Sequence, residues 1–180
     1  EEDKKLFRIM YNKDSTLLPN GVDTEIMVPG SPDPEVLQQY GLKAGEYLLY
    51  FGCYDYLPNK EAASFLLKDV WPLINESVQN LKLVFVGRSP QTWMRGPNIV
   101  VTGAVNDLLS LIKGARVVLA PLFSGGGTRL KIVEALACGK TILATPFGAM
   151  GIVNEDLPAL RLASAEQFAD VLMKLLMEEC

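Results

Sequence analysis

The chain has 180 residues, of which 49% are hydrophobic and 21% are charged, and its formal net charge is −4. This composition predicts one soluble globular domain that is large enough to bury a core. The acidic balance argues against a nucleic-acid partner, which usually meets a basic protein face. The sequence contains no histidine, and this excludes a Ser-His-Asp triad, a Cys-His pair and a histidine-ligated metal site.

The cysteines and the apolar runs indicate where the protein works. Cys53, Cys138 and Cys180 have neither metal-type spacing nor an even count, which is typical of reduced thiols. No apolar run approaches the roughly 20 residues of a membrane span, and residues 1–5 do not resemble a signal peptide. We therefore expect a cytoplasmic protein.

The first 45 residues carry short, weak signals for secondary structure. They predict a helix over residues 4–11, a strand over 16–19 before the turn Asn20-Gly21, a proline-rich loop over 28–34, and a helix over 34–41 that ends at Gly41. We interpret residues 1–45 as an entry segment to the domain that follows.

From residue 46 onward, short apolar strands alternate with helices. The predicted strands cover residues 47–51, 81–86, 99–101, 117–120, 141–144 and, at one edge, 157–162. The predicted helices cover residues 59–71, a segment capped by Asn106 that runs to Lys113, 128–138 and 165–178. Continuous apolar strands need cover on both faces, so residues 46–180 are predicted to form an α/β domain with a doubly wound, Rossmann-like parallel sheet. Ligands bind such sheets beyond the carboxyl ends of the strands.

A glycine-rich loop between a strand and a helix is the strongest functional signal. Gly125, Gly126 and Gly127 precede a helix whose first N–H groups are unsatisfied and point outward, so the loop predicts an anion site. Arg129 and Lys131 add two positive charges in the first turn, where an anionic ligand would offset their repulsion with the helix dipole. The segment is neither a Walker A loop nor the G-x-G-x-x-G fingerprint.

Glu134 is the candidate partner for a sugar hydroxyl pair. It lies three residues after Lys131 on roughly the same helix face, and about 9 Å along the helix from Thr128. That distance is similar to the distance between the diphosphate and the ribose of one nucleotide. The plain alternative to a ligand site is that the glycine-rich segment is only a tight turn between strand and helix, and that Arg129 and Glu134 form a solvated pair at the surface.

Of four other conspicuous residues, three have ordinary structural explanations. Asp107 favours the first turn of a helix, and Asp55 lies in a loop where solvent would reach it. Trp71 has the spacing of a core residue, whereas Trp93, within the loop 89–97, is open to either a structural or a binding role.

Several segments in order resemble the group 1 glycosyl transferases, glycosyltransferase family 4. The run PLFSGGGTRLKIVEALACGKTILAT, at 121–145, resembles the donor-binding motif of the family. Further similar segments are Leu18 to Asp23, Phe51 to Lys60 with its Pro-Asn pair, Val84 to Gly87, Val101 to Asp107 and Phe147 to Ile152.

The resemblance implies the C-terminal, donor-binding domain of a two-domain GT-B enzyme. It implies transfer of a hexose-type sugar with retention of configuration, from a UDP- or GDP-linked donor, with no cofactor and no divalent metal. The acceptor would bind the enzyme's own N-terminal domain. We expect that domain to be absent from this chain, we expect the chain alone to have no turnover, and we expect any contact with the inner face of a membrane to require that domain.

The resemblance also implies roles for individual residues. Glu134 corresponds to the second glutamate of the family's E-x7-E motif, whereas the first falls at Gly126, so that backbone N–H groups at Gly126 and Gly127 would contact the sugar. Cys53 occupies the place of the family's diphosphate-binding arginine. Arg129 and Lys131 would replace that charge as catalytic phosphate partners, with Lys60 as a weaker candidate. The expected nucleotide-sugar site also includes Gly52, Asn59, Gly87, Gly125, Thr128 and Leu130, and the base would lie against the backbone of Val105 near Leu108 or Arg88.

Two other functions fit the same fold. One is a GT-B sugar-nucleotide epimerase, although such enzymes usually rely on further acidic and histidine residues. The other is a non-catalytic nucleotide-binding or interaction module, which fold alone does not exclude.

Overall fold

A computed structural model describes residues 2–16, 20–127, 129–152 and 157–178. The predicted strand at 16–19 and Cys180 therefore lie partly or wholly outside the described residues, as does Thr128. Within them, no helix is both long enough and apolar enough to cross a lipid bilayer.

The centre of the fold is a six-stranded sheet with the order β3-β2-β1-β4-β5-β6. Its strands are β1 (Tyr47–Phe51), β2 (Lys82–Val86), β3 (Ile99–Gly103), β4 (Val117–Ala120), β5 (Ile142–Ala144) and β6 (Leu160–Leu162). Every neighbouring pair is parallel. The helices are α1 (Glu2–Tyr11), α2 (Pro34–Gln39), α3 (Leu57–Phe65), α4 (Trp71–Asn75), α5 (Leu108–Gly114), α6 (Leu130–Ala137) and α7 (Phe168–Glu178). The predicted doubly wound α/β fold is confirmed.

Strand β1 organises the sheet because the strand order reverses beside it. Leu48 is in register with Leu83 of β2 on one side and with Val117 of β4 on the other. All five residues of β1 are buried, as the continuous apolar run predicts. The crevice between the ends of β1 and β4 is therefore the topological switch point, where ligands of such sheets bind.

Two apolar cores cover the two faces of the sheet. Leu48 and Tyr50 of β1 face one core, to which α3, α4 and α7 contribute. Tyr47, Leu49 and Phe51 face the other core, with α2, α5 and α6. A fully buried side chain of this size stabilises the fold by roughly 1.5–3 kcal/mol, so the two layers hold the strand ends in place.

Two predicted helices differ from their observed form. The helix predicted over 59–71 begins at Leu57, widens into a π-helical turn over Leu66–Val70 and continues as α4 to Asn75. Pro72 explains the turn because it lacks an N–H donor and its ring would clash with the carbonyl four residues earlier. Asp107, not Asn106, caps α5, and its carboxylate accepts a hydrogen bond from the Ser110 N–H at 2.9 Å.

Helix α6 ends where the glycine pattern predicts. The Gly139 N–H donates to the Leu136 carbonyl at 2.9 Å, and the Lys140 N–H donates to the Ala135 carbonyl at 3.0 Å. This pair of bonds is a Schellman cap. It places β5 directly after α6 and fixes the length of the helix that begins at the glycine loop.

Candidate functional site

A small cavity lies at the carboxyl ends of β1, β2 and β3. Its volume is about 290 Å³, and five of the residues predicted to bind the nucleotide line it: Gly52, Gly87, Arg88, Val105 and Leu108. Cys53 lines the same cavity. Residues from three separate segments of the sequence therefore meet beside the switch point.

The floor of this cavity depends on a close contact between two glycines. A Cβ atom on Gly87 would lie 1.7 Å from the Gly52 carbonyl oxygen, and Gly87 has φ +140. The Gly52 N–H donates to the Val86 carbonyl at 2.9 Å, and the Gly87 N–H donates to the Gly103 carbonyl at the same distance. Gly87 is required here because any side chain would collide with backbone rather than with a movable group.

The glycine loop, residues 124–127, rests against the first turn of α3. The Tyr56 hydroxyl accepts a hydrogen bond from the Gly126 N–H at 3.3 Å, and the Ser124 hydroxyl donates to the Glu61 carboxylate at 2.6 Å. Gly125 has φ +101, and a Cβ atom there would lie 2.5 Å from the Tyr56 hydroxyl. The loops after β1 and β4 are thus joined across the switch point.

Arg129 is buried, with 6% of its surface exposed, and it binds the glycine loop itself. Its Nη1 donates to the carbonyls of Gly126 at 2.9 Å and Gly127 at 3.1 Å, and its Nη2 donates to the Gly125 carbonyl at 3.0 Å. The guanidinium lies 5.2 Å from the centre of the Phe147 ring, and its Nε has no hydrogen-bond partner among the residues that the structure describes. The expected phosphate partner is therefore already engaged with backbone carbonyls.

Lys131 lies beside the end of β1. Its Nζ donates to the Asn59 side-chain oxygen at 3.2 Å and lies 4.2 Å from the centre of the Tyr50 ring. Desolvation, with the charge of Arg129 acting in the same direction, lowers the pKa of Lys131 from 10.5 to about 7, and Glu134 opposes this shift. The two ion pairs found among the described residues, Arg8–Asp14 and Lys43–Glu46, lie elsewhere, so neither cation of α6 has a carboxylate within 4.0 Å.

Asn59 connects this lysine to the cavity. Its amide nitrogen donates to the Cys53 carbonyl at 2.9 Å, and its oxygen also accepts a hydrogen bond from the Tyr50 hydroxyl at 2.8 Å. Asn59 was predicted as a ligand residue, but here its polar atoms bind protein partners. It fixes the position of Lys131 relative to the cavity wall.

Glu134 lies one turn after Lys131 and is partly buried. Desolvation raises the pKa of its carboxyl, and the charge of Lys131 partly offsets that rise. Within the described parts of the chain, the carboxylate has no hydrogen bond, so its acceptor capacity is available for a ligand. The sequence-based pairing of Arg129 with Glu134 at the surface is not observed.

Five further residues discussed in the sequence analysis lie at different places. Lys60 lines a separate groove of about 890 Å³ along α3 and α4, together with Trp71 and Trp93. Trp71 is a core residue as expected, with 5% of its surface exposed, whereas Trp93 is 42% exposed. Leu130, the first residue of α6, is 44% exposed, and Asp55 accepts a hydrogen bond from the Ser89 hydroxyl.

Sequence reasoning did not identify Tyr56 and Phe147 as contacts of the glycine loop and of Arg129. Tyr56 belongs to the segment before the Pro-Asn pair, and Phe147 begins the turn after β5. Both residues lie in segments that carry the family resemblance, but their contacts depend on how distant loops meet in the fold.

Comparison with known protein families gives a match over most of the chain. The model described as "Glycosyl transferases group 1" matches residues 45–178. The phosphatidyl-myo-inositol mannosyltransferases of Mycobacterium tuberculosis and Mycobacterium leprae are each 28% identical over an alignment of 151 residues, and each alignment covers 79% of this chain. The chain spans 38% of the length of these curated relatives.

Solved structures show the same fold at low sequence identity. The C-terminal domain of a glycosyl transferase group 1 family protein from Francisella tularensis has a TM-score of 0.64 at 18% identity, covering 88% of this chain and 89% of that one. HepE from Anabaena, solved in complex with UDP and glucose, has a TM-score of 0.68 at 16% identity, covering 89% of this chain and 46% of that protein. A glycosyltransferase from Rickettsia africae has a TM-score of 0.69 at 16% identity over 96% of this chain and 51% of that one. The fold is that of GT-B glycosyltransferases.

Proposed function

Because the chain belongs to the group 1 glycosyl transferases, we propose that it binds a UDP- or GDP-linked sugar and holds that donor for transfer. The complete enzyme would transfer a hexose-type sugar, with retention of configuration, to an acceptor bound by its N-terminal domain. The observation that carries the proposal is a pair of cations, Arg129 and Lys131, at the start of α6 without a paired carboxylate among the described residues.

The diphosphate would supply the missing negative charge. The lowered pKa of Lys131 corresponds to a cost on the order of 5 kcal/mol for keeping its ammonium charged. A diphosphate near Lys131 would reverse this cost, because an adjacent anion favours the charged form. The outward-pointing N–H groups in the first turn of α6 would add to the attraction.

The remaining parts of the donor have matching groups nearby. The carboxylate of Glu134 would accept hydrogen bonds from the two ribose hydroxyls. The base would occupy the cavity lined by Gly52, Gly87 and Val105, where the two glycines have no side chain to keep a ligand from the backbone. The nucleotide would therefore run from this cavity towards the glycine loop.

The chemistry of transfer would rest on stabilising the leaving group. Negative charge builds on the β-phosphate as the bond between the sugar and the diphosphate breaks. Lys131 and the N–H groups of the loop would meet that charge in positions fixed before the reaction, which is the most effective form of electrostatic catalysis. We assign no nucleophile or general base to this chain.

Calorimetric titration with UDP-, GDP- and ADP-linked sugars tests the proposal. We expect saturable binding of the UDP or GDP donor, and we expect Lys68→Met, at an exposed position on the outer side of the α3–α4 segment, to bind as the unaltered chain does. The absence of binding to all three donors would contradict the proposal and favour an interaction module. Rearrangement of the bound donor without transfer would favour an epimerase.

A further inference from the structure

We propose that Arg129 is a positioning residue that turns the carbonyl groups of the glycine loop inward, so that the Gly127 N–H is directed towards the diphosphate and the Gly126 N–H is directed to the Tyr56 hydroxyl. The inference rests on the proposed function and assigns Arg129 a role different from direct phosphate contact.

The direction of the N–H groups follows from the three hydrogen bonds of the guanidinium. The carbonyls of Gly125, Gly126 and Gly127 all accept from Arg129. In a planar trans peptide the C=O and the following N–H point in opposite directions. The N–H groups of Gly126 and Gly127 must therefore point away from the guanidinium. The first meets the Tyr56 hydroxyl at 3.3 Å, and the second has no acceptor among the described residues.

Only arginine offers the geometry that this arrangement needs. A guanidinium is planar and presents several donors in one rigid fork, whereas a lysine ammonium is a compact point charge on a flexible stem. Arg129 uses two nitrogens for three consecutive carbonyls, and its buried Nε has no partner in the described part of the chain. The guanidinium is thus aligned by the loop carbonyls rather than by an acidic side chain.

A rigid turn after β5 supports the guanidinium from the other side. The Phe147 ring lies under it, and the Gly148 N–H donates to the Thr145 hydroxyl at 3.0 Å. That hydroxyl donates in turn to the Leu122 carbonyl. Arg129 is therefore fixed between the glycine loop and a turn that is bonded to the segment after β4.

If Arg129 positions the glycine loop, the loop is ordered before any ligand binds. In Arg129→Lys the charge remains but the fork is lost, so we expect the amide order parameters of Gly126 and Gly127 in the free 180-residue chain to fall from about 0.85 to below about 0.6. Lys131→Met is the matched control, and it should leave these order parameters unchanged. Relaxation measurements by NMR provide this comparison.

Binding measurements separate positioning of the loop from a general loss of structure. We expect Arg129→Lys to weaken UDP binding about tenfold or more and to leave the affinity for uridine, which lacks the diphosphate, unchanged. Phe147→Leu, which removes the supporting ring, should lower the order parameters of the glycine loop and weaken UDP binding, each by a smaller amount than Arg129→Lys does. It also serves as the test if Arg129→Lys does not fold.

Two results would overturn the inference. One is an unchanged loop order in Arg129→Lys together with weakened UDP binding and an altered ³¹P shift of bound UDP, which would show direct phosphate contact. The other is equal weakening of UDP and uridine binding. If the unaltered chain binds neither UDP nor GDP, the proposed donor role fails, while the order parameters still decide whether Arg129 organises the loop.

Discussion

Two strand-to-helix connections border the switch point, and they differ in whether their polar and charged groups have partners within the protein. The connection from β1 to α3 satisfies its own groups: the Tyr54 N–H donates to the Arg88 carbonyl at 2.9 Å, and Asn59 donates to the Cys53 carbonyl. The connection from β4 to α6 carries Arg129 and Lys131 without a carboxylate partner in the described part of the chain.

This difference indicates that the β1–α3 connection has a structural role and the β4–α6 connection has a ligand-binding role. The first connection needs nothing from a ligand, so its residues are expected to affect stability more than binding. The second holds positive charge that the protein leaves uncompensated, so its residues are expected to affect binding more than stability. Substitutions at the first connection should therefore lower stability more than binding, and substitutions at the second should lower binding more than stability.

The largest expected effect is on stability where Gly87, directly after β2, packs against Gly52 of the first connection. Gly87→Ala should lower the free energy of unfolding by about 3–5 kcal/mol, since the added carbon collides with backbone and the φ value is strained. Gly126→Ala is the matched control, because a Cβ atom there meets no atom of the described residues within 4 Å, and it should cost less than about 0.5 kcal/mol. Urea denaturation measures both, and equal costs would remove the contrast between the two connections.

The next effect is on binding at the second connection. Lys131→Met should weaken UDP binding by about 1.5–3 kcal/mol, the scale of a hydrogen bond to a charged group. The free energy of unfolding should not fall, because the substitution removes a poorly solvated charge without leaving a buried partner unpaired. Calorimetry and urea denaturation on the same samples check this, and a loss of stability with unchanged affinity would reverse the assignment.

A smaller and more selective effect is expected at Glu134. Glu134→Ala should weaken UDP binding by about 1–3 kcal/mol because ribose hydroxyls lose their acceptor. Binding of inorganic pyrophosphate, which has no ribose, should be unchanged. Titrations with the two ligands test the role, and an unchanged affinity for UDP in a folded variant would exclude ribose binding by this carboxylate.

The smallest effect is a dependence of binding on pH. A bound diphosphate favours the charged ammonium of Lys131 and raises its pKa above the value of about 7 in the free protein. Binding therefore takes up a proton above about pH 7, and affinity should fall by up to about tenfold per pH unit between pH 7.5 and 9. UDP titrations in buffers of different ionisation enthalpy detect this uptake, which Lys131→Met should abolish.

Much of the fold was predictable because its signals are local. The boundaries of β1 follow directly from its apolar run, and Gly139 marks the end of α6. The π-helical turn before Trp71 was not predicted, although Pro72 is its cause, because helical spacing alone continues smoothly through this segment. The shift of the cap from Asn106 to Asp107 is a one-residue choice between two good capping residues.

The candidate site was less predictable because its contacts join distant segments. The sequence identified the glycine loop and its cations, but a positive residue at a helix start does not reveal what its donors bind. Arg129 binds carbonyls only two to four residues before it in its own loop. Lys131 donates to Asn59 only because α3 and α6 begin side by side. Lys60 lies one residue further along α3 and lines a different groove.

The order of strands in the sheet also has a consequence for how the protein is made. The bonds that join the two connections, from Gly126 to Tyr56 and from Lys131 to Asn59, span 70 and 72 positions of the chain. During synthesis, β1 and β2 emerge long before β4 and can pair with each other first. Closing so long a loop is slow compared with local pairing. The donor site is therefore expected to assemble late, after much of the sheet that supports it has formed.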